Sequence, residues 1–398
     1  MDGMFEFGRD LRKLFERARE SDDLGWVELI GADLVLAEAR GQTTDAGRVS
    51  CARPHDAWLR ASALWREHAR RTGRMNSLDR AMTAAGDAAN AGVTPRERMA
   101  GEAARAETLI LGFDLFGGPG RLLEAGAALA SAGAAGAGAH ARLKARRARL
   151  TGQAQAVLDA GALLDAALTG ARGPEADELR LERAALGLEA GLMRKDPRLL
   201  DQAGRDLRQL VESASPDYRP VTRARALALC GAGLKALAAM AGDRSASAQG
   251  QAMFEAAADQ FTPDHSPLDW AAIQVLRAET EPLQALRQAV AATAEPGLML
   301  GGLTRAALAE REAAAAEAVG DVAGLDRLAA ETRRRLATAQ PPLDWAADQV
   351  AMAEIALARA RLTGSEPQGL RMTLVEAAET AREEGCLSLA SRAERLLA

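Results

Sequence analysis

The stretch QPPLDWAADQVAMAEIALARARLTG, residues 340–364, opens with a phrase that the chain has already used once, in SPLDWAAIQVLRAE from Ser266. Pro-Leu-Asp-Trp-Ala-Ala-x-Gln-Val thus occurs twice, with its tryptophans at Trp270 and Trp345. A proline and an acid followed by apolar residues at helical spacing describe a helix start, because proline suits the first turn and an acid complements the dipole there. A phrase written twice, about two repeat lengths apart, marks the same structural position in two units of an array. The first copy reaches a turn at Thr280-Glu281-Pro282, whereas the second runs on to Thr363-Gly364. Its helix is therefore nearly three turns shorter.

Working outward, a second signature recurs: an apolar residue, an acid, and a small residue three places after the apolar one. It stands at Leu78-Asp79 with Ala81, Leu123-Glu124 with Gly126, Leu158-Asp159 with Gly161, and Leu200-Asp201 with Ala203. It returns at Phe254-Glu255 with Ala257 and Val375-Glu376 with Ala378, and in weaker form at Leu325-Asp326 and Leu283-Gln284. The mean spacing of about forty residues is that of helical-hairpin arrays. A small residue at a fixed place lets the second helix of each hairpin lie close to its neighbour. Turn-forming segments such as RTGRMNS, NAGVTP, FGGPGR, MRKDPR, TPDHSP and LTGSEP separate the helices. Thr280 and Ser365 read as hydroxyl N-caps, each followed by an acid and a proline.

Composition agrees. Of 398 residues 48% are hydrophobic but only 3% aromatic, and the alanine excess favours helix while strand formers are scarce. Arginine far outnumbers lysine, which with the alanine points to a GC-rich bacterial genome. The net charge of −5 supplies no electrostatic reason to seek nucleic acid. Three scattered cysteines suggest no disulfide framework, and no stretch approaches the roughly 18 uninterrupted apolar residues of a membrane span. A cytoplasmic protein without cofactor is the expectation.

The domain reading has three parts: an N-terminal helical segment and loop (1–56), the array (57–385) and a terminal capping helix (386–398). Phe5, Phe7, Leu11, Leu14 and Phe15 form an apolar stripe that could cover the open end of the array, lie on a membrane or enter a partner's groove. A second helix reads from an N-cap at Ser21, and residues 41–56 read as a loop.

With Trp345, Ala346 and Gln349, and Trp270, Ala271 and Gln274 in the earlier copy, the phrase resembles the first helix of a tetratricopeptide repeat (TPR) of the bacterial variety that opens Pro-x-x-Trp-Ala-x-x-Gln. The resemblance covers roughly 266–385; periodicity alone carries 57–265. It implies an all-α, right-handed α-solenoid of about eight TPR-like helical hairpins whose inner face binds partners. Its candidate partner-binding positions are Gln274, Val275, Glu279, Gln349, Val350 and Glu354. Only two asparagines, Asn76 and Asn90, are present, so the asparagine ladder with which many such proteins clasp extended peptides cannot be built. An amphipathic helix or peptide segment suits the apolar, acid-dotted floor better.

Few residues suggest chemistry. No phosphate-binding P-loop, nucleophile elbow or zinc-protease helix is present. The glycines of FGGPGRLLEAG (116–126) read as an inter-helix turn or, less simply, a phosphate cradle. Cys51, His55 and His68 read as a loop cysteine with surface histidines, since zinc requires four ligands at tighter spacing. Arg142, Lys144, Arg146, Arg147 and Arg149 form a basic run, either a solvated face or a docking patch for an acidic partner. The function expected is a non-catalytic interaction scaffold or adaptor that binds one or more proteins, with self-association permitted. The alternative is a small-ligand sensor or enzyme with its site inside the superhelix.

Overall fold

In the computed structural model, which describes residues 24–365, 367 and 369–397, the chain is all-helical and no strand occurs among those residues. The N-terminal stripe and Ser21 lie outside them. A 3-10 turn, Gly25–Leu29, leads into α1 (Ala32–Ala46), α2 (Pro54–Thr72), α3 (Met75–Ala91), α4 (Pro95–Phe116), α5 (Gly120–Ala132) and α6 (Ala137–Thr151). Then come α7 (Ala154–Leu168), α8 (Gly173–Arg194), α9 (Pro197–Ser213), α10 (Pro220–Ala241), α11 (Arg244–Ala258) and α12 (Pro267–Leu276). The chain ends with α13 (Leu283–Ala292), α14 (Met299–Ala318), α15 (Val322–Leu336), α16 (Pro342–Thr363), α17 (Leu370–Glu383) and α18 (Leu387–Leu397).

Local chemistry sets many of these ends. Proline occupies the first turn of α2, α4, α9, α10, α12 and α16, where its missing N–H costs nothing. Thr94 and Glu97 form a reciprocal capping box on α4, and Asp196, Asp243 and Asp321 cap α9, α11 and α15. The two Pro-Leu-Asp-Trp helices have the lengths their turns predict, 10 residues for α12 and 22 for α16.

Three boundaries differ from expectation. The loop is shorter, because α1 continues to Ala46. Thr43 and Thr44 stay helical by donating to the carbonyls of Ala39 and Arg40, and Thr43 also accepts from the Trp65 indole. Thr280 is not the N-cap of α13; its hydroxyl turns back to the Arg277 carbonyl and α13 starts after Pro282. Likewise Ser365 bonds Thr363, and α17 starts after Gly369. Length and composition also make Gly120–Thr151 and α10 sufficient to cross a membrane, which the search for uninterrupted apolar runs does not anticipate; alanine supplies much of that hydropathy.

The apolar-acid-small signature falls in the second helix of each pair, α3 through α17. Its register holds at Leu78, Leu200, Phe254 and Leu325, all buried. It slips by one in α5, α7 and α17, where Leu122 with Ala125, Val157 with Ala160, and Leu374 with Ala377 are buried instead.

The chain forms two compact units. The first joins residues 24–35 to Gly152–Phe261. In it α7 packs on α8, α8 on α9, α9 on α10 and α10 on α11, around Leu188, Leu200, Leu207 and Leu210. Helices α10 and α11 approach closely: a Cβ on Gly231 would lie 2.7 Å from the Phe254 ring and 2.8 Å from the Gly250 carbonyl oxygen.

The second unit joins Leu36–Thr151 to Thr262–Ala398. Consecutive helices pack from α2 to α6 and from α12 to α18, and α2 also touches α12 while α4 touches α14. Ala69, Leu78 and Phe116 share a core cluster with Leu268 and Leu298. The Met75 N–H donates to Glu295 at 3.1 Å and the Gly118 N–H to the Glu384 carbonyl at 3.2 Å. An array in which each repeat meets only its neighbours has no such contacts; here two sequence-distant segments share one interior. The terminal helix α18 covers α17 and also reaches α16 and α14.

Candidate functional site

The repeated phrase builds the same device twice. In the second copy, Asp344, on the first turn of α16, is buried. It accepts from the Gly297 N–H at 2.8 Å and from Arg305 of α14 at 2.5 Å. One turn later the buried Asp348 accepts from Arg335 of α15 at 3.0 Å. In the first copy Asp269 takes the place of Asp344. It accepts from the Ser266 hydroxyl at 2.5 Å and lies beside Glu67, Arg70 and Arg71 of α2. Arg71 is fully buried, donates to Glu67 at 2.6 Å, and reaches the His265 carbonyl at 3.4 Å.

Burial alone would push Glu67 up, but Arg70 and Arg71 hold its carboxyl below the usual carboxylate range. Desolvation pushes Asp269 up, and Arg70 and Ser266 offset only part of that. Such perturbed groups suit chemistry when they face a cleft. Here they join helices.

The six candidate partner-binding residues do not form one surface. Val350 is fully buried in the core made by α14, α16, α17 and α18, and Gln274 is buried too. Gln349 and Val275 are half-buried, and Glu279 is exposed beyond the end of α12. Glu354 pairs at 3.3 Å with Arg392, which also pairs with Glu310. Burial pushes the Glu354 carboxyl up, with Arg392 working against it.

Most of the basic run is internal. Arg146 is buried and makes a two-pronged pair with Asp114 of α4 at 2.8 and 2.7 Å. Arg142 faces Glu107 at 3.6 Å, and Arg147 donates to the Leu122 carbonyl at 2.9 Å. Arg149 is half-buried, and Lys144 alone of the five is exposed. The run therefore fastens α6 to α4 and α5.

The other candidates are likewise structural. His55 and His68 are not surface residues: both are buried, bonded to the Ala88 carbonyl and the Ser77 hydroxyl at 2.9 and 2.8 Å. No group of His, Cys, Asp and Glu suited to a metal occurs among the described residues. Cys230 is buried, its thiol pushed up to about 11 by desolvation, far from the thiolate needed for nucleophilic work. In FGGPGR the Gly118 N–H is taken by Glu384, so the turn joins elements rather than cradling an anion. Depressions of about 400 Å³ beside Arg98 and Met99 and of about 520 Å³ beside Leu370 and Met372 are open to solvent.

Sequence reading misses one arrangement altogether. In the first unit Glu28, on the 3-10 turn, is buried against the start of α10. Its carboxylate accepts from Arg219 Nε at 2.8 Å, from the Thr222 N–H at 2.9 Å and from the Thr222 hydroxyl at 2.5 Å. Arg219 also pairs with Asp177 at 3.0 Å. Only the pairing of a lone acid with a distant Arg-Pro-x-Thr helix start could have signalled it.

No family model matches the chain, and no curated protein matches its sequence significantly.

Proposed function

We propose that this chain is a non-catalytic protein-interaction scaffold or adaptor, assembled from TPR-like helical hairpins and working in the cytoplasm. The observation that carries the reading is the use made of the charged side chains. Arg146 with Asp114, Arg305 with Asp344, Arg183 with Asp165 and Asp206, and Arg71 with Glu67 are ties within the helical framework. Such ties make a rigid platform, and a platform presents surfaces to partners without internal rearrangement. The Pro-Leu-Asp-Trp resemblance supports the same reading. Because Val350 and Gln274 are core residues, the contact surface is drawn from exposed or half-buried neighbours such as Val275, Glu279 and Gln349.

Proximity labelling with the full-length chain in its native cell tests this. The expected result is a specific protein whose binding is reconstituted from purified components. Labelling that enriches no protein, together with a metabolite retained in native mass spectrometry, would replace the scaffold by a small-ligand sensor or enzyme.

A further inference from the structure

We infer that the outward face of α17 is the contact surface for a second copy of this chain, met antiparallel about a two-fold axis beside Val375. The inference goes beyond the scaffold reading and does not rest on it. None of Val275, Glu279 and Gln349 lies on this face, so a chain that fails to pair keeps the surface offered to other proteins.

The first observation is an apolar surface that the fold leaves uncovered. Because the apolar-acid-small signature slips by one in α17, Leu374 and Ala377 join the core and Val375 is turned outward. Val375 is 40% exposed, and Met372, a turn before it, is 70% exposed. With Pro367 and Leu370 they line the open depression of about 520 Å³ at the start of the helix.

The second observation is what stands on either side. Arg371, Val375 and Glu379 follow one another at intervals of four, all exposed, along the 14 residues of α17. That spacing keeps them on one face. The cation stands about 6 Å before Val375 along the axis and the anion about 6 Å after it. Among the described residues neither Arg371 nor Glu379 has an ion pair within the chain. Arg382, one turn further, is by contrast tied to Glu394 of α18.

The third observation is symmetry, and it selects the occupant. A second α17 laid antiparallel on the first, Val375 against Val375, brings each Arg371 opposite the other copy's Glu379. The pair forms twice, as a two-fold contact requires. Each Met372 then lies within a turn of the other copy's Val375. Glu376, about a quarter turn round the helix, stays in solvent beside the joint. The face is thus its own complement in charge and in apolar surface. One helix pair is a small interface, so the dimer is a weak one.

Sedimentation of the full-length chain over a concentration series tests this, with a rise from monomer towards dimer expected. Arg371→Glu and Glu379→Arg each set like charges opposite one another at both ends of the joint. Each alone should weaken pairing at least about tenfold. An equimolar mixture of the two variants sets opposite charges at both ends again and should restore the dimer. A cross-link checks the register on a Cys51→Ser background, in which the remaining cysteines are buried. With oxidised glutathione, Val375→Cys should join two copies through a disulfide. Glu383→Cys, about 24 Å from its counterpart in this arrangement, should not. All four positions on α17 are exposed, so the variants should melt like wild type. A chain that stays monomeric throughout overturns the inference and leaves the face to another protein. A dimer indifferent to both charge variants, or one that the mixture does not restore, overturns it as well.

Discussion

The two Pro-Leu-Asp-Trp helices share their opening words and little of their surroundings. In α16 the phrase begins a 22-residue helix packed on α14, α15, α17 and α18. Its aspartate answers an arginine of α14 and a backbone N–H of the turn before α14. In α12 it begins a 10-residue helix, and its aspartate faces a cluster on α2, supplied by the opposite end of the sequence. The phrase thus specifies a helix start with an inward carboxylate and leaves the partner to the neighbourhood. One copy fastens adjacent repeats. The other fastens two distant segments of the second unit.

Removing the carboxylate tests that difference most strongly. Asp344→Ala leaves the Gly297 N–H without its acceptor and the half-buried Arg305 with only Asp348, 3.8 Å away, and breaking a largely buried pair from one side costs about 3 kcal/mol. Asp269→Ala removes the acceptor of the Ser266 hydroxyl and a carboxylate beside Arg70 and Arg71, but both guanidinium groups keep Glu67, and desolvation of Asp269 already opposes its charged form. A loss of about 1 kcal/mol is expected there. Urea denaturation of both variants measures the two losses, and equal values would mean that the phrase acts alike in both places.

Glycines beside the two copies give the next largest effect. Gly73 ends α2 at φ 67°, and a Cβ there would lie 2.9 Å from Leu298 and 3.2 Å from Leu268. Gly73→Ala therefore carries both backbone strain and a clash, about 2 kcal/mol together. Gly302 lies within α14, and a Cβ there would meet Ala347 at 3.2 Å. For Gly302→Ala the helix gains about 0.5–1 kcal/mol of propensity, which the tight contact offsets, so the melting temperature should hardly move. A larger loss at Gly302 than at Gly73 would place the tighter joint at the second copy.

The helix starts and the unequal lengths of the two copies were legible because proline, glycine and acid act over a turn or two. The buried face was legible only where one register fits. In Leu122-Leu123-Glu124-Ala125-Gly126 two adjacent apolar residues precede two adjacent small ones, and either pair keeps the spacing of three. Packing chooses Leu122 with Ala125 and leaves Leu123 exposed. Val350 was misplaced for a related reason: α16 meets four helices, so a position that would line a groove in an open array lies in the core. The joints between Met75 and Glu295 or Gly118 and Glu384 leave no local trace, since each depends on residues hundreds of positions apart. The basic run hid its purpose because its acids, Glu107 and Asp114, stand on another helix.

The smallest predicted effect separates two carboxylates inside the α2–α12 joint. Glu67 is held below its ordinary range by Arg70 and Arg71 against the pull of burial. As pH falls, the unfolded chain takes up the proton first, so wild type loses this contribution through the depressed folded value. Asp269 is pushed up by desolvation, with Glu67 adding to the push. As pH falls, the folded chain takes up that proton first, so wild type gains until the ordinary aspartate value of about 3.9 is passed. Glu67→Gln should therefore cost most at neutral pH and progressively less in acid. Asp269→Asn should cost least at neutral pH and more in acid. Both changes are read from denaturation midpoints of the three proteins between about pH 7 and pH 3, which spans both ordinary carboxylate values. The opposite slopes follow from the balance at each site: for Glu67 the two guanidinium groups outweigh burial, whereas for Asp269 burial outweighs Arg70, Ser266 and Arg71, and Glu67 adds to it. Parallel slopes would show that the cluster titrates as one unit, with neither carboxylate distinguished by its neighbours.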